Sequence, residues 1–273
     1  MSIATKYRVK SGDKVDLSDW KTDDAEGVSR KEIEAKTEEN TLAIAELQHK
    51  LYAEDKQSVL VVLQAMDAAG KDSTIRRVFG RVNPQGVQVT SFKRPTDEEL
   101  AHDFLWRIHH HTPNRGCIGI FNRSHYEDVL VVRVNNIAPE SIWSKRFDLI
   151  NSFEQGLVDA GTKIIKVYLH LSKDRQREKL SDRLTNPEKN WKFEPGDLKT
   201  REKWDEYMQA YGDTISKCNT DDAPWYIVPT NRKWYRVHVV SEIVRATLEA
   251  MNPQFPEPKI DPQMANQLLE QIS

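Results

Sequence analysis

"SVLVVLQAMDAAGKDSTIRRV" (58–78) begins as a β-branched, nearly continuous apolar run and ends as a charged segment with helical spacing. A run like Ser58 to Gln64 suits a strand buried on both faces of a parallel sheet. A turn with Gly70 follows, then Lys71 at a helix start, so the stretch predicts a strand, a turn and a helix over 71–81. In such a turn backbone N–H groups point inward, the helix dipole favours anions and a Lys adds a point charge. The unit reads as a phosphate loop formed by Ala68, Ala69, Gly70, Lys71, Asp72, Ser73 and Thr74. It meets the strict G-x-x-x-x-G-K-[ST] pattern only in part. Ala65 stands for the first Gly, Asp72 for the Ser or Thr, and Ser73 and Thr74 follow one and two residues late. Alone, the stretch fits an ordinary strand-to-helix turn as well as it fits a phosphate cradle.

Working outward, four more apolar runs read as strands: "GVQVTSF" (86–92), "GCIGIFN" (116–122), "KIIKVYLHL" (163–171) and "WYIVPT" (225–230). Helical spacing lies between them, over about 96–110, 124–134, 139–160, 172–185, 196–218 and 233–251. An amphipathic helix over 29–54 precedes them. Alternation of strand and helix predicts an α/β fold, a parallel five-stranded sheet flanked by helices. Residues 1–28 are polar and aperiodic and read as an arm. Residues 29–252 form one domain, and 253–273, with four prolines, read as a tail that packs on a neighbour.

The loop carries two acids, Asp67 and Asp72, where an anion is to bind. A divalent cation resolves the conflict, because Mg²⁺ takes one or two carboxylates together with phosphate oxygens and water. Asp72 also suits the first turn of a helix without any ligand. Ligands of open α/β sheets bind beyond the carboxyl ends of the strands. There "IFNRSHYEDVLVV" (120–132) supplies Asn122, Arg123, Glu127 and Asp128, and Arg123 is suited to neutralising a moving phosphoryl group. Lys93 and Arg94 follow the second strand, and Arg76 and Arg77 lie on the helix after the loop. Residues 172–203 hold ten Lys or Arg and seven acids, broken by Pro187, Pro195 and Gly196. They read as a helical lid whose candidate anion ligands are Arg183, Lys189 and Lys192, near its bend. Most other charges there are expected to be solvated i,i+4 pairs, and Trp191, Phe193, Trp204 and Tyr207 to be packing. "HHH" (109–111) is no metal site, since consecutive helical positions diverge by about 100°.

Composition narrows the classes. The net charge of -2 argues against a general nucleic-acid binder. Cys117, in an apolar run, reads as core, and Cys218 sits near a helix end. The two make neither a disulfide framework nor a zinc site. "MSIATKYRVKSGDK" lacks the apolar stretch of a signal peptide, and no run reaches membrane-spanning length, so the chain reads as cytoplasmic.

Taken together, "VVLQAMDAAGKDSTI", "VNPQGV", "SFKRPTDEEL", "FNRSHYEDVLV", "YLHLSKDRQREKL", "RLTNPEKNWKF" and "APWYIVPTNRKWYR" resemble the polyphosphate kinase 2 family over roughly residues 30 to 250. The resemblance implies a thymidylate-kinase-like P-loop fold and Mg²⁺-dependent transfer of terminal phosphate between inorganic polyphosphate and nucleotides, with Mn²⁺ as a substitute metal. It matches Asp67 and Lys71 to the essential Walker A pair, Asn122 and Arg123 to the strand-end position, and Arg183, Lys189 and Lys192 to the lid. Many members have Asp where this chain has Asn122. "NRSHYED" is similar to the subgroup accepting both nucleoside mono- and diphosphates, with the acid role moved to Glu127 or Asp128. Adenine or guanine nucleotides are the implied acceptors and a homo-oligomer, dimer or tetramer, the implied assembly, with the 29–54 helix as a candidate contact. The phosphate loop alone equally admits an ATP-dependent kinase or a non-catalytic polyphosphate- or nucleotide-binding module.

Overall fold

The computed structural model describes residues 2–260 and 262–272. Five strands form one sheet: β1 (Ser58–Gln64), β2 (Val87–Ser91), β3 (Ile118–Asn122), β4 (Thr162–His170) and β5 (Trp225–Pro229). Their order is β2-β3-β1-β4-β5 and every pairing is parallel. β1 is central, and all seven of its residues are buried, as its unbroken apolar run requires. Its side chains alternate between two cores. Val59, Val61 and Leu63 pack with Ile44 and Leu51 of the Arg30–Glu54 helix and with Val239, Val240 and Ile243 of the Lys233–Met251 helix. Leu60 and Val62 face the opposite layer, where Leu130, Ile150 and Ile215 come from the Glu127–Val134, Arg146–Asp159 and Trp204–Lys217 helices. The result is a three-layer α/β/α arrangement.

Three of the expected helices are each divided in two. The 96–110 pattern becomes Asp97–Leu100 and Trp106–His109, the 139–160 pattern Glu140–Trp143 and Arg146–Asp159, and the 196–218 pattern Gly196–Glu202 and Trp204–Lys217. Side-chain periodicity survives a local break in the backbone ladder, which is why the sequence alone hides these joints.

The segment 1–28, read as an arm, is from residue 2 onward part of the packed body. Tyr7, Val9, Val15 and Leu17 are buried. Val9 N–H donates to Trp225 C=O at 2.9 Å and Arg8 bridges Tyr226, so this segment covers the free edge of β5. Thr22 C=O accepts from the amides of Thr230 and Asn231. Edge cover needs only scattered apolar residues, which leave no periodic signal. In the segment read as a tail, Pro253 is buried and the Phe255 ring meets His49 edge-on, so its start folds back on the Arg30–Glu54 helix. Residues 262–272 are helical, and Asp261 and Ser273 lie outside the described residues. The Arg30–Glu54 helix itself turns its apolar face inward, burying Ile33, Ile44 and Leu51. Leu42 and Tyr52 of the same helix remain exposed. Cys117, read as core, is only partly buried, whereas Cys218 is fully enclosed. The three histidines diverge: His109 meets Phe153, His110 meets Trp106 and His111 meets Phe92.

One buried ionic cluster joins the layers beneath the carboxyl end of β3. Lys166 Nζ lies 2.5 Å from Glu154 Oε2 and 3.1 Å from the Tyr126 hydroxyl, and His125 Nε2 is 3.2 Å from Glu154 Oε1. Lys166 and His125 have no exposed surface and Glu154 has 2%. Removing one partner leaves the other charged and dry. Lys166→Met is expected to cost about 3–5 kcal/mol in urea unfolding, and adding Glu154→Leu to recover most of it. Equal losses in the single and double variants would contradict that coupling.

Candidate active site

The loop from Ala65 to Gly70 leaves the carboxyl end of β1 and feeds the Lys71–Val78 helix. Gly70 caps that helix at φ 99°, a conformation L side chains rarely adopt, and Ala68 also has positive φ, 64°. The first helical bond runs from Thr74 N–H to Gly70 C=O at 3.0 Å. The amides of Lys71, Asp72 and Ser73 precede this ladder, as an anion cradle requires. Ser73 and Thr74 hydroxyls each donate to Gly70 C=O at 3.0 Å. They are therefore engaged in holding the turn rather than turned to a ligand. Lys71 Nζ donates to Ala65 C=O at 3.1 Å, and burial, aided by Arg123, lowers its pKa to about 8.

β3 ends beside the loop because Leu63 is in register with Asn122. Arg123 N–H donates to Leu63 C=O, and Arg123 has φ 63°. Its guanidinium reaches across to Asp67, Nη2 to Oδ1 2.7 Å. Asn122 Nδ2 donates to Asp72 Oδ1 at 2.6 Å. Both loop acids are thus held by the strand-end pair. Glu127, foremost, and Asp67 keep the Arg123 guanidinium charged. The Glu127 charge also raises the pKa of Lys71, against the effect of burial.

Asp128, a candidate metal ligand on sequence grounds, is directed elsewhere. Arg146 Nη1 donates to its carboxylate at 2.9 Å, and burial pushes its pKa up to about 6 against the pull of Arg146 and Arg107. Adjacent positions on one helix diverge, so Glu127 and Asp128 do not share a ligand. Among the described residues no group of three or more His, Cys, Asp or Glu gathers around a metal position. The loop offers two hard carboxylates, Asp67 and Asp72. That donor set fits a cation such as Mg²⁺ completed by phosphate oxygens and water, rather than a protein-only cage.

The segment read as a lid consists of the Lys173–Thr185 helix, a short turn over Asn190–Lys192 and the Gly196–Glu202 helix. Its candidate cations are occupied within the segment. Arg183 pairs with Asp197 at 2.8 Å, Lys189 with Asp182 at 2.7 Å, and Lys192 Nζ lies 4.9 Å above the Trp191 ring. Trp204 and Tyr207 are packing residues, but Trp191 is 78% exposed. Lys93 is exposed beyond β2, its carbonyl held by Arg107. Arg77 joins Arg30, Arg175, Arg232 and Lys233 around a cavity of about 290 Å³.

Three further participants lie within the family-like stretches 168–180 and 223–236 but were not singled out there. Gln176, fully buried on the Lys173–Thr185 helix, donates to the backbone carbonyl of Asp67 at 3.1 Å and accepts from Arg201. Lys179 lies among Arg236, Arg175, Arg183 and Lys233, and burial followed by their repulsion lowers its pKa to about 7. Arg236, 1% exposed, reaches the underside of the loop. The available sequence signal is a polar or charged side chain on a helix face that otherwise turns inward. A larger cavity, about 1030 Å³, lies between residues 14–26, the carboxyl end of β4 and the Trp204–Lys217 helix, and the loop does not line it.

A parallel sheet in the order 2-3-1-4-5, with a glycine-bearing loop and lysine at the central strand's carboxyl end and an arginine just beyond the neighbouring strand, defines a P-loop phosphotransferase. The model of the family described as Polyphosphate kinase 2 matches residues 27–256, and the chain belongs to that family. It is 51% identical over 257 residues to the AMP/ADP-polyphosphate phosphotransferase of Meiothermus ruber, covering 93% of this chain and 96% of that one. It is 44% identical to the ADP-polyphosphate phosphotransferase of Rhodopseudomonas palustris, covering 94% of each. The crystal structure of polyphosphate kinase 2 from Arthrobacter aurescens TC1 superimposes with a TM-score of 0.95 at 40% identity, over 100% of this chain and 98% of that one. The chain is thus a phosphotransferase of the kinase type, and such enzymes work with a divalent cation. Among the described residues no helix is long and apolar enough to cross a membrane.

The placement of the two acids separates their roles. Glu127→Gln is expected to lower kcat/KM at least about tenfold with an unchanged melting temperature. Asp128→Asn should leave stability within about 1 kcal/mol, because the amide oxygen and the backbone carbonyl still accept from Arg146 and burial disfavours the carboxylate charge, with kcat within about threefold of the parent. Steady-state kinetics and thermal melting check both, and the reverse pattern would return the acid role to Asp128.

Proposed function

We propose that this chain transfers the terminal phosphate of inorganic polyphosphate to AMP and ADP, reversibly. One observation carries the reading. Arg77, Arg175, Arg232 and Lys233 line one cavity together with Glu34, and Arg236, one turn beyond Arg232, is bonded to the phosphate loop itself. Cations held that close are stabilised by a ligand with many negative charges along its length, which describes a phosphate polymer better than the short tail of a nucleotide. The names of the Meiothermus and Rhodopseudomonas relatives support the same donor and acceptors.

In this reading the donor chain runs along the basic track beneath the lid, past Arg77 and Arg183, and its end enters the Ala68–Thr74 loop, where it meets the amides of Lys71, Asp72 and Ser73. The acceptor phosphate approaches from the β3 side, near Lys93, Asn122 and Glu127. Lys71 and Arg123 neutralise charge on the group in flight, while Lys189 and Lys192 close over the chain. An acceptor phosphate is already ionised, so Asp67 is needed as a ligand and orienting group and not as a base. Mg²⁺, or Mn²⁺ in its place, would be held by Asp67 and Asp72 and would offset the negative charge of the phosphates. Positioning and electrostatics then account for most of the rate. Guanine nucleotides are further acceptors, and the enzyme works as a cytoplasmic homo-oligomer. The alternative donor is ATP, which the loop chemistry also admits.

Purified protein with AMP, Mg²⁺ and either polyphosphate or ATP decides between donors. ADP and ATP should form from AMP with polyphosphate and stop in excess chelator. Formation of ADP only with ATP as donor would overturn the reading.

The Lys179 site adds a pH dependence. The protonated ammonium favours a polyanion, and the bound polyanion raises the Lys179 pKa above about 7. Below pH 7 the group is charged already and contributes no slope. As pH rises above 7 the free protein loses the proton, so the polyphosphate KM should climb, up to about tenfold per pH unit. The loss of charge on Lys71, near pH 8, acts in the same direction. Lys179→Arg should flatten the lower part of this profile, and a profile equal to that of the parent would exclude Lys179 from the donor track.

A further inference from the structure

Arg236 sits in the first turn of the Lys233–Met251 helix with 1% of its surface exposed. Nη1 donates to Ala69 C=O at 2.7 Å and Nη2 to Ser73 Oγ at 2.8 Å. Ser73 Oγ passes the interaction on, donating to Gly70 C=O at 3.0 Å. One guanidinium therefore holds two successive carbonyls of the phosphate loop, one directly and one through a hydroxyl. In a trans peptide the C=O and the following N–H point in opposite directions. Fixing the Ala69 carbonyl toward Arg236 turns the Gly70 N–H away from it. Fixing the Gly70 carbonyl toward Ser73 does the same for the Lys71 N–H. These are the amides a bound phosphate would meet.

We infer that Arg236 is a positioning residue for phosphate transfer, clamping Ala69 and Ser73 so that the loop amides are aligned for the donor before it binds. The inference rests on the polyphosphate reading of the same site. Two further observations support it. A Cβ on Gly70 would fall 2.6 Å from Nη1, so the guanidinium fills the space that only glycine leaves. No carboxylate pairs with Arg236 among the described residues, and Arg77, Lys179 and Lys233, whose charges it feels or affects, are also cations. A buried cation without a counter-ion is costly unless something else compensates it. Here the compensation is the Ala69 carbonyl and the Ser73 hydroxyl in the free protein, joined by the donor's negative charge in the complex. The fork matters as much as the charge, because a lysine ammonium on its flexible stem lacks the planar pair of donors that spans both partners.

Whole-chain kinetics with polyphosphate and AMP test this. Arg236→Met should raise the polyphosphate KM at least about tenfold and lower kcat at least about tenfold, with the AMP KM within about twofold. Arg236→Lys should restore most of the polyphosphate KM but leave kcat about tenfold low, since charge returns and the clamp does not. A merely structural role would lower the melting temperature while leaving both KM values and the kcat per folded molecule unchanged, and that result overturns the inference. If Arg236→Met does not fold, Ser73→Ala removes one anchor and keeps the buried charge. It should lower kcat several-fold at a nearly unchanged melting temperature, and an unchanged kcat overturns the inference. Titration with inorganic tripolyphosphate in a calorimeter separates the two layers of the argument. A parent protein that binds tripolyphosphate but does not phosphorylate AMP from polyphosphate overturns the functional reading alone. Equal affinity of the parent and Arg236→Met for tripolyphosphate overturns the clamp.

Discussion

A pocket for polyanions must hold cations close together before the anion arrives, and like charges a few ångströms apart repel. The carboxyl edge of this sheet meets that constraint in three ways. Arg123, Arg183 and Lys189 each lean on an acid, Asp67, Asp197 and Asp182. Lys179, surrounded by cations, gives up its proton near neutrality. Arg236 keeps its charge and is solvated by a carbonyl and a hydroxyl. The acids inside the cradle are understandable as placeholders, a role they hold beside the metal binding proposed above. Asp67 holds Arg123 in the free protein, and a bound cation and phosphate would exchange that partnership for another. The exchange is less costly than desolvating bare charges, because each group passes from one partner to the next.

Legibility in the sequence followed the same physics. β1 could be read from Ser58 to Gln64 because burial on both faces demands an unbroken apolar run, and the other strands were found within one or two residues. The cover over β5 was invisible, since Tyr7, Val9, Val15 and Leu17 are isolated apolar positions in a polar context. At the site, the phosphate loop and the Asn122–Arg123 pair could be located because backbone topology alone puts both at one sheet edge. The choice between Glu127 and Asp128 could not be made, as it depends on the helix phase and on Arg146, which is distant in sequence. Cys117 illustrates the converse error: an apolar neighbourhood in sequence does not guarantee full burial at the start of a strand. Gln176 and Arg236 were missed because they touch the loop's backbone rather than a ligand, and no motif records a partner's carbonyl.

The two sides of the site share a feature that connects the core to the chemistry. Ala68 on the loop and Arg123 after β3 both adopt positive φ, a conformation costing a non-glycine residue about 1–3 kcal/mol. Such residues persist only where their surroundings leave no alternative. Gln64 Nε2 donates to Ser124 Oγ at 3.0 Å, tying the end of β1 to the turn that carries Arg123. His125 and Tyr126, two and three residues on, are anchored to Glu154 and through it to Lys166. The buried ionic cluster thus acts on the same short segment that presents Arg123 and Glu127. Replacing it by apolar side chains could preserve the fold and still loosen that segment, because a hydrophobic contact fixes distance but not direction. Hydrogen-bonded charges do both, which accounts for polar side chains in a layer that is otherwise apolar. On the loop side Arg236 plays the corresponding part from the opposite core. The reacting groups are therefore held from both layers, and the sheet between them keeps the two supports in register.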